Sequence, residues 1–492
     1  MSPPETTVFL SPMDQFMPRV YMRLFLLFET PEPLRAVENL KAGLKRLTQR
    51  LPWLKGRVFV TDFAGPHRGR VGLRWSEADS DVPFNESNAS VDGLTYQKLV
   101  KEDGAPLHYF ENEWCPPTGI FGPVDEEGSP VLGVNYTIID GGLVVGFSYQ
   151  HSVFDGTGMD QLICFWAECT RAETVNEKGA PDGEEPLLRE SIVRLAAHSG
   201  QHTNGSAPSS ATFHELLARC SVFTASDDAL ILPPGFVPDP SMPLPIPAGI
   251  KLFTFDVSKL NAVKSVVQAH DPKLEGVTTN SILSATVWSC ITRVRAARNR
   301  WASTKRSKLT IPINIRRRVD PDGHSLTKRP YLGNATIENS FAMNFSDVAN
   351  AAIECPATPG KATVDLSQLC EIIQKATKAP KKITPGHLGG ILQLHDAAPS
   401  MADLLQWFSP FTPSDLVVTS WANMDLYDAD FGEAVGKPQF LRMANVGGDG
   451  FIVVLPRKRA TSDQVIEIIL GLHPEDIETL EKDPIWTSYL KA

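Results

Sequence analysis

Two apolar runs, Val131-Leu-Gly-Val-Asn-Tyr-Thr-Ile-Ile139 and Gly142-Leu-Val-Val-Gly-Phe-Ser-Tyr-Gln150, meet at the turn residues Asp140-Gly-Gly. Turn residues of this kind between β-branched and aromatic runs predict an antiparallel hairpin. The second run alternates and stops at His151, where Asp155 and Gly156 make a tight turn. Met159, Leu162, Ile163, Trp166 and Cys169 then recur at helical spacing. A strand that ends in an imidazole and turns directly into a helix commits the chain to sheets covered by helices. No short-period repeat of the solenoid kind accompanies it.

The chain has 492 residues, which is the length of two packed cores rather than one. Its 47 Lys plus Arg against 57 Asp plus Glu give a net charge of −10, without the broad positive field that nucleic-acid backbones require. The seven cysteines lie far apart with no Cys-x-x-Cys pair, which fits neither a zinc knuckle nor a disulfide framework. No basic segment precedes the first apolar stretch. That stretch, Val20 to Phe28, is only strand-long and carries Arg23, well short of the ~20 residues of a membrane helix. The expectation is a cytoplasmic protein with neither nucleic acid nor membrane as partner, and its Asn-x-Ser/Thr sequons are read as chance.

Organisation follows from texture. Residues 1–171 read as a first lobe: a strand over Val20–Phe28, a helix carrying Leu34, Val37, Leu40, Leu44 and Leu47, a strand at Gly56–Thr61, the hairpin, and the helix after His151. Residues 172–247 are rich in Gly, Pro, Ser and Asn and read as a crossover, with helix near Ser191–Ala197 and His214–Cys220. Residues 248–492 return to mixed texture, with strands at Lys251–Phe255, Asp415–Trp421, Gln439–Met443 and Gly450–Leu455. A helix capped by Thr279 holds Ile282, Leu283, Val287, Cys290, Ile291 and Val294 on its apolar face, and a short acidic helix spans Pro474 to Lys482. Strands and helices mixed without strict alternation predict an α+β architecture with mixed sheets.

His151 is the candidate catalytic residue. An imidazole with an ordinary pKa of about 6.5 is neutral at cellular pH and can take a proton, the work of a general base. A histidine that ends a strand is as a rule a satisfied core or surface residue; Asp at +4 and Gly at +5 set this one apart. Gly156 is expected to permit the bend, and Asp155 either to face the ring or to anchor the loop to a buried cation. Neither a Walker sequence nor a strand-linked Gly-x-Gly-x-x-Gly occurs. His214-Glu-Leu-Leu-Ala218 lacks the second His of a zinc helix, so no metal is implied.

His151-x-x-x-Asp155-Gly156 resembles the HxxxDG motif of the BAHD family of CoA-dependent acyltransferases, and the resemblance runs the length of the chain. Leu10-Ser-Pro-Met-Asp14, Leu51-Pro-Trp-Leu-Lys-Gly56-Arg57, the helix from Thr278 to Arg293, Asn314-Ile-Arg316-Arg-Arg318, Tyr331-Leu-Gly333-Asn334, Thr419-Ser-Trp421 and Asp430-Phe-Gly432 are similar to the family's blocks in order and spacing. The turn Asp430-Phe-Gly-Glu-Ala-Val-Gly436-Lys-Pro438 lacks the Trp usual in plant members and looks like the branch containing fungal trichothecene 3-O-acetyltransferases. The resemblance implies two chloramphenicol-acetyltransferase-like lobes with His151 in a channel between them, an acyl-CoA entering from one face and a small-molecule acceptor from the other. It implies that Asp155 is an anchor paired with Arg316 or Arg318, and that Asp430 and Gly432 form a structural turn.

The expected reaction is transfer of an acyl group, most simply acetyl from acetyl-CoA, to a hydroxyl of a small specialised metabolite. No tightly bound cofactor and no covalent enzyme intermediate are expected, and the enzyme is read as a monomer. Strand alternation places Thr419 and Trp421 on one face, where they are expected to line the pocket and serve the oxyanion. The CoA phosphates call for basic groups, and the densest run is Arg293, Arg295, Arg298, Lys305, Arg306 and Lys308, with Lys378, Lys381 and Lys382 as a smaller one. A condensation-type enzyme acting on a carrier-protein thioester is the alternative; Gln150 stands where such enzymes usually double the His. A non-catalytic binding protein is a third reading, against which the intact His151 speaks.

Overall fold

The computed structural model describes residues 4–60, 69–87, 92–102, 104–110, 114–116, 127–171, 183–198, 212–219, 223–224, 248–297, 306–319, 330–355, 366–378, 383–398, 405–406, 414–443, 448–459 and 464–491. Its architecture is α+β. A five-stranded sheet runs in the order Phe440–Arg442, Tyr21–Glu29, Gly142–Gln150, Leu132–Ile139 and Phe84–Glu86. A six-stranded sheet runs Gly249–Asp256, Val465–Leu472, Phe451–Val454, Leu416–Ser420, Arg306–Asn314 and Thr336–Asn344. Both are mixed: in the first, Phe84–Glu86 is parallel to Leu132–Ile139 and the other pairs are antiparallel, and in the second, Leu416–Ser420 is parallel to its two neighbours and the other pairs are antiparallel. A smaller four-stranded sheet joins Thr6–Phe9, Val71–Trp75, Arg57–Val60 and Ser129–Pro130.

The predicted hairpin is present in register, Ile139 opposite Gly142, and its turn is closed by Gly141 at φ 75°. Its second strand differs from the alternating expectation, because all nine residues of Gly142–Gln150 are buried. One face packs Leu143, Val145, Phe147 and Tyr149 into the first-lobe core. The segment Trp114–Pro116 lies over the other. It comes so close that a Cβ on Gly146 would sit 2.3 Å from the Trp114 carbonyl oxygen, and one on Gly133 2.3 Å from that of Pro116.

The helix after His151 is Gly156–Arg171, and the predicted stripe Met159, Leu162, Ile163, Trp166 and Cys169 is fully inside. It packs on the helix Pro33–Arg50 through the Trp166 indole N–H, which donates to the Leu40 carbonyl at 3.1 Å, and through Gly43, whose Cα abuts Thr170. In the second lobe the long helix runs Thr279–Ala297, but its cap is Thr278, whose hydroxyl accepts from Ser281 N at 3.1 Å; Thr279 is already the first helical residue. Within the crossover the helices are Glu185–His198 and Phe213–Arg219, the first starting six residues before the expected one. Cys220 lies outside the described residues.

A division of the chain at 171 and 248 does not describe the sheets. The strand Phe440–Arg442, from the second half of the sequence, pairs with Tyr21–Glu29, and Trp421, Tyr427, Phe431, Leu441 and Met443 belong to the first-lobe core. Phe431 meets Phe28 and Trp166 edge to face, each with ring centres 5.4 Å apart. The lobes also meet at Gly158, where a Cβ would fall 2.0 Å from the Leu332 carbonyl oxygen.

That oxygen belongs to backbone and cannot rotate away. Gly158→Ala is expected to lose about 1–3 kcal/mol of stability by overpacking, more than the ~1 kcal/mol that alanine gains over glycine in a helix. Gly276→Ala, where nothing lies within 4 Å, is the control. Urea denaturation should separate the two variants, and equal midpoints would show that the lobes part freely at this contact.

Candidate active site

The site begins at the end of Gly142–Gln150. His151 N donates to the Val20 carbonyl at 2.9 Å, and Val153 N and Phe154 N fold back onto the Gln150 carbonyl at 2.9 and 3.3 Å. Phe154 pins this turn by stacking on Trp53 at 5.6 Å and meeting Tyr149 edge-on at 6.0 Å. His151 remains only partly exposed, and its Nδ1 is buried with no hydrogen-bond partner among the described residues. Burial pushes the imidazole pKa below its ordinary value, against the opposing pull of nearby carbonyls, the Asp155 carboxylate and Asn334. The ring is therefore neutral at pH 7 and competent to accept a proton.

Asp155 does not serve the ring. Its Oδ2 accepts from Arg316 Nη1, Ala335 N and Thr336 Oγ1, each at 2.9 Å, and its Oδ1 from Arg316 Nη2 at 2.9 Å and Gly158 N at 2.8 Å. Burial raises the carboxyl pKa, but the Arg316 guanidinium and these N–H donors outweigh it and hold it below the ordinary carboxylate range. Arg316 completes its own fork on the carbonyls of Tyr331, at 3.2 and 3.0 Å, and Gly333, at 2.6 Å, with the Tyr331 ring 5.6 Å away. Arg318, two residues along the same short helix, is half-buried.

Gly156 has a different duty from the one read in the sequence. Its φ is not positive, so the bend does not need it. A Cβ there would lie 2.8 Å from Trp421 Nε1 and 2.7 Å from Met424 Cε, so the glycine is what lets the Trp421 loop close over the start of the helix. Trp421 is buried. Thr419 is half-buried on the face of the second-lobe sheet that includes Val453 and Ile469, members of the first-lobe core, whereas Leu416, Val418, Ile452 and Val454 point into the second-lobe core. Thr419 and Trp421 thus face the first lobe.

Two of the family-like blocks, those ending in Asp14 and Asn334, meet behind the His151 turn. Asn334 Nδ2 donates to the His151 carbonyl at 3.0 Å, and its backbone N and Nδ2 both donate to Asp14 Oδ1 at 2.8 Å. Asp14 also closes a capping box with Ser11. Arg189 of the crossover helix is wholly buried: it donates to Glu185 at 2.7 Å and to the Val153 carbonyl at 2.8 Å, and lies 3.5 Å from Asp14. Glu185 in turn accepts from Gly333 N at 3.0 Å. No periodicity points to Arg189 or Glu185, because they sit in the polar texture of the crossover and acquire partners only when that helix enters the gap between the lobes.

Asp430 and Gly432 stand apart from this centre. Asp430 accepts from Gly432 N at 2.9 Å and lies 3.6 Å from Arg171, at the far end of the helix that starts at Gly156. At 1.5 Å per residue that is roughly 22 Å from the motif. Gly432 adopts φ 94°.

Arg295 corrects the basic-run expectation. It is fully buried, donating to Asp449 at 2.8 Å and to the Asp415 carbonyl at 3.3 Å, and has no surface to offer a CoA phosphate. Arg293 is engaged with Asp483. Arg306 is exposed and donates to the Ala342 carbonyl at 3.1 Å, and Lys308 is half-buried beside Asp415 and Glu338, which leaves its pKa lowered to about 8 by burial. Lys378 is exposed. Arg298, Lys305, Lys381 and Lys382 lie outside the described residues. A groove on the outer side of the Pro33–Arg50 helix, lined by Lys41, Leu44, Asp81 and Phe84, collects none of the site residues.

Breaking the Asp155–Arg316 pair should be costly. Asp155→Asn keeps the shape but leaves the buried guanidinium uncompensated, with an expected loss of about 3–5 kcal/mol. Because the folded pKa is depressed, the carboxylate's contribution is complete above the unfolded value near 3.9 and disappears as pH falls through the folded one. As pH drops below about 4, denaturation midpoints should therefore fall more steeply in the wild type than in the variant; parallel curves would remove Asp155 from the acid response.

Comparison with known proteins agrees with this arrangement. The family model described as trichothecene 3-O-acetyltransferase-like N-terminal domain matches residues 20–169, and the transferase family model matches residues 250–486. The chain is 28% identical to the trichothecene 8-O-acetyltransferase of Fusarium sporotrichioides over 99% of its own length and 98% of the relative's. It is 25% identical to the trichothecene 3-O-acetyltransferase TRI101 of the same organism, over 96% and 95%. The fold is that of the crystal structure of F. graminearum TRI101 complexed with coenzyme A and deoxynivalenol, with TM-score 0.76 and 19% identity over 99% of both chains. With the histidine motif, the buried Asp–Arg anchor and both lobes accounted for, the chain belongs to the BAHD transferase family of acyl-CoA-dependent acyltransferases, its first lobe of the trichothecene 3-O-acetyltransferase-like type.

Proposed function

We propose that this enzyme transfers an acetyl group from acetyl-CoA to a hydroxyl of a small, largely apolar specialised metabolite, with His151 as general base. The observation that carries the reading is a buried imidazole, held at a strand end between the lobes, while the Asp155 carboxylate is engaged by Arg316, Gly158 N, Ala335 N and Thr336 Oγ1 rather than by the ring. His151 takes the proton of the acceptor hydroxyl as that oxygen attacks the thioester carbonyl carbon. The tetrahedral oxyanion collapses, the carbon–sulfur bond breaks, and the proton passes from His151 to the departing thiolate. No enzyme nucleophile is required. The described cysteines are free thiols, and burial raises the pKa of Cys115 and Cys290 to about 12, far from a reactive thiolate.

Thr419 and Trp421 face the first lobe and are the proposed donors and walls around the oxyanion. Arg306 and Lys308 are the members of the basic run proposed to meet the CoA phosphates, since they share the face of their strand that leads to Asn314, whose amide donates to Thr157 at 2.9 Å. Arg316 and Asp155 position the loop. One chain supplies both lobes, so the site is complete in a monomer, and the proposed setting is the reducing cytoplasm.

Free-thiol release from acetyl-CoA in the presence of a panel of terpenoid and polyketide alcohols tests the reading. His151→Ala should lower the acceptor-dependent rate by about 10²–10⁴, and a variant that keeps the wild-type rate would remove His151 from the chemistry. In the wild type, kcat/KM should fall only as pH drops below about 6.5, since burial lowers the pKa at which the base is lost. An acid limb centred above 7 would contradict the buried, neutral ring.

A further inference from the structure

The Thr336–Asn344 strand leaves the motif with a stripe of polar side chains. Asn334 holds the His151 carbonyl, Thr336 donates to Asp155, and Glu338 is the next residue on the same side. At 3.4 Å per residue the Glu338 Cα is about 7 Å beyond Thr336. Register fixes the direction of this face. Asn314 pairs with Thr336, Pro312 with Glu338 and Thr310 with Ser340, and the Thr310 and Ser340 hydroxyls are 2.8 Å apart. Thr310 is level with Val417, two residues before Thr419, so Glu338 shares the first-lobe-facing surface with Thr419 and Val453. Alternate residues Phe341 and Met343 go the other way, into the second-lobe core.

The Oε2 of Glu338 is buried and has no hydrogen-bond partner among the described residues. A buried carboxyl oxygen without a donor costs stability even with the Lys308 charge nearby, and a threonine or valine would suit a strand better, so Oε2 asks for a hydrogen-bond donor from outside the chain. Burial lifts its pKa to about 7 against the pull of Lys308, which keeps the group able both to donate and to accept near neutrality.

We infer that Glu338 anchors the molecule in the channel by a hydrogen bond to one of its non-reacting N–H or O–H groups, and so is a specificity-determining residue. This rests on the acyl-transfer reading. The donor is either a second hydroxyl of the acceptor or an amide N–H of the pantetheine arm.

Calorimetric titration with coenzyme A, together with thiol-release kinetics using acetyl-CoA and each active alcohol of the panel, should be run on wild type, Glu338→Ala and Glu338→Gln. Loss of one such bond in Glu338→Ala should weaken one ligand about tenfold with kcat held within about twofold. Glu338→Gln, which still accepts, should stay near wild type. A raised acceptor KM assigns the contact to the acceptor hydroxyl, and a raised Kd for coenzyme A assigns it to the pantetheine amide. If wild type turns over and neither constant moves in Glu338→Ala, the inference is wrong. It is equally wrong if both constants rise together with a lowered urea midpoint, since that marks a folding role. A wild type that neither binds coenzyme A nor releases thiol with any alcohol overturns the acyl-transfer reading itself, and this inference with it.

Discussion

The pair between Asp155 and Arg316 is the joint on which the rest of the site turns. Two opposite charges are taken out of water here, which is affordable only because every lone pair and N–H of the pair meets a partner. Those partners come from separate parts of the chain: the start of the motif helix at Gly158, the Tyr331–Gly333 turn, and the Ala335–Thr336 entry to a second-lobe strand. Satisfying the pair therefore closes one lobe on the other. His151, four residues before Asp155, is placed as a consequence, and burial keeps its ring neutral against the residual pull of the Asp155 carboxylate.

A second buried network backs the first from the opposite side. Asp14 near the start of the chain, Glu185 and Arg189 in the crossover, and Asn334 in the second half meet behind the His151 turn. The crossover is thus more than a connection between lobes, because its helix carries a cation that ties Asp14, Glu185 and the Val153 carbonyl together. Glycines complete the fit where backbones must touch: Gly158 under Leu332, and Gly156 under Trp421 and Met424. Neither is a matter of backbone conformation, as both sit in ordinary helical geometry and are required for their missing side chains.

Much of this was legible in the residues. The hairpin, the motif helix and its buried stripe follow from turn chemistry and periodicity, and these are local properties. The alternation along Asp415–Trp421 correctly put Thr419 and Trp421 on one side. Reading failed where a long-range partner decides the outcome. Arg295 looks like any member of a basic run until Asp449 and Asp415 close on it from distant segments. Gly142–Gln150 reads as half-exposed until Trp114–Pro116 covers its second face. Thr278 rather than Thr279 caps its helix, a difference of one residue that only hydrogen-bond geometry resolves.

By itself, then, the sequence determined the local units: which runs are strands, which stripe of a helix is apolar, and that a histidine ends a strand ahead of an Asp-Gly turn. Those depend on neighbours a few residues away, and side-chain spacing encodes them. Tertiary structure alone decided which charges are buried together and which face of each second-lobe strand looks toward the first lobe. It also sent Phe440–Arg442 across to the first-lobe sheet. The physical reason is that the ionisation and role of a polar group depend on the dielectric and the partners around it. Those partners, as with Asp155 and Arg316, lie far off along the chain and are brought together only by packing.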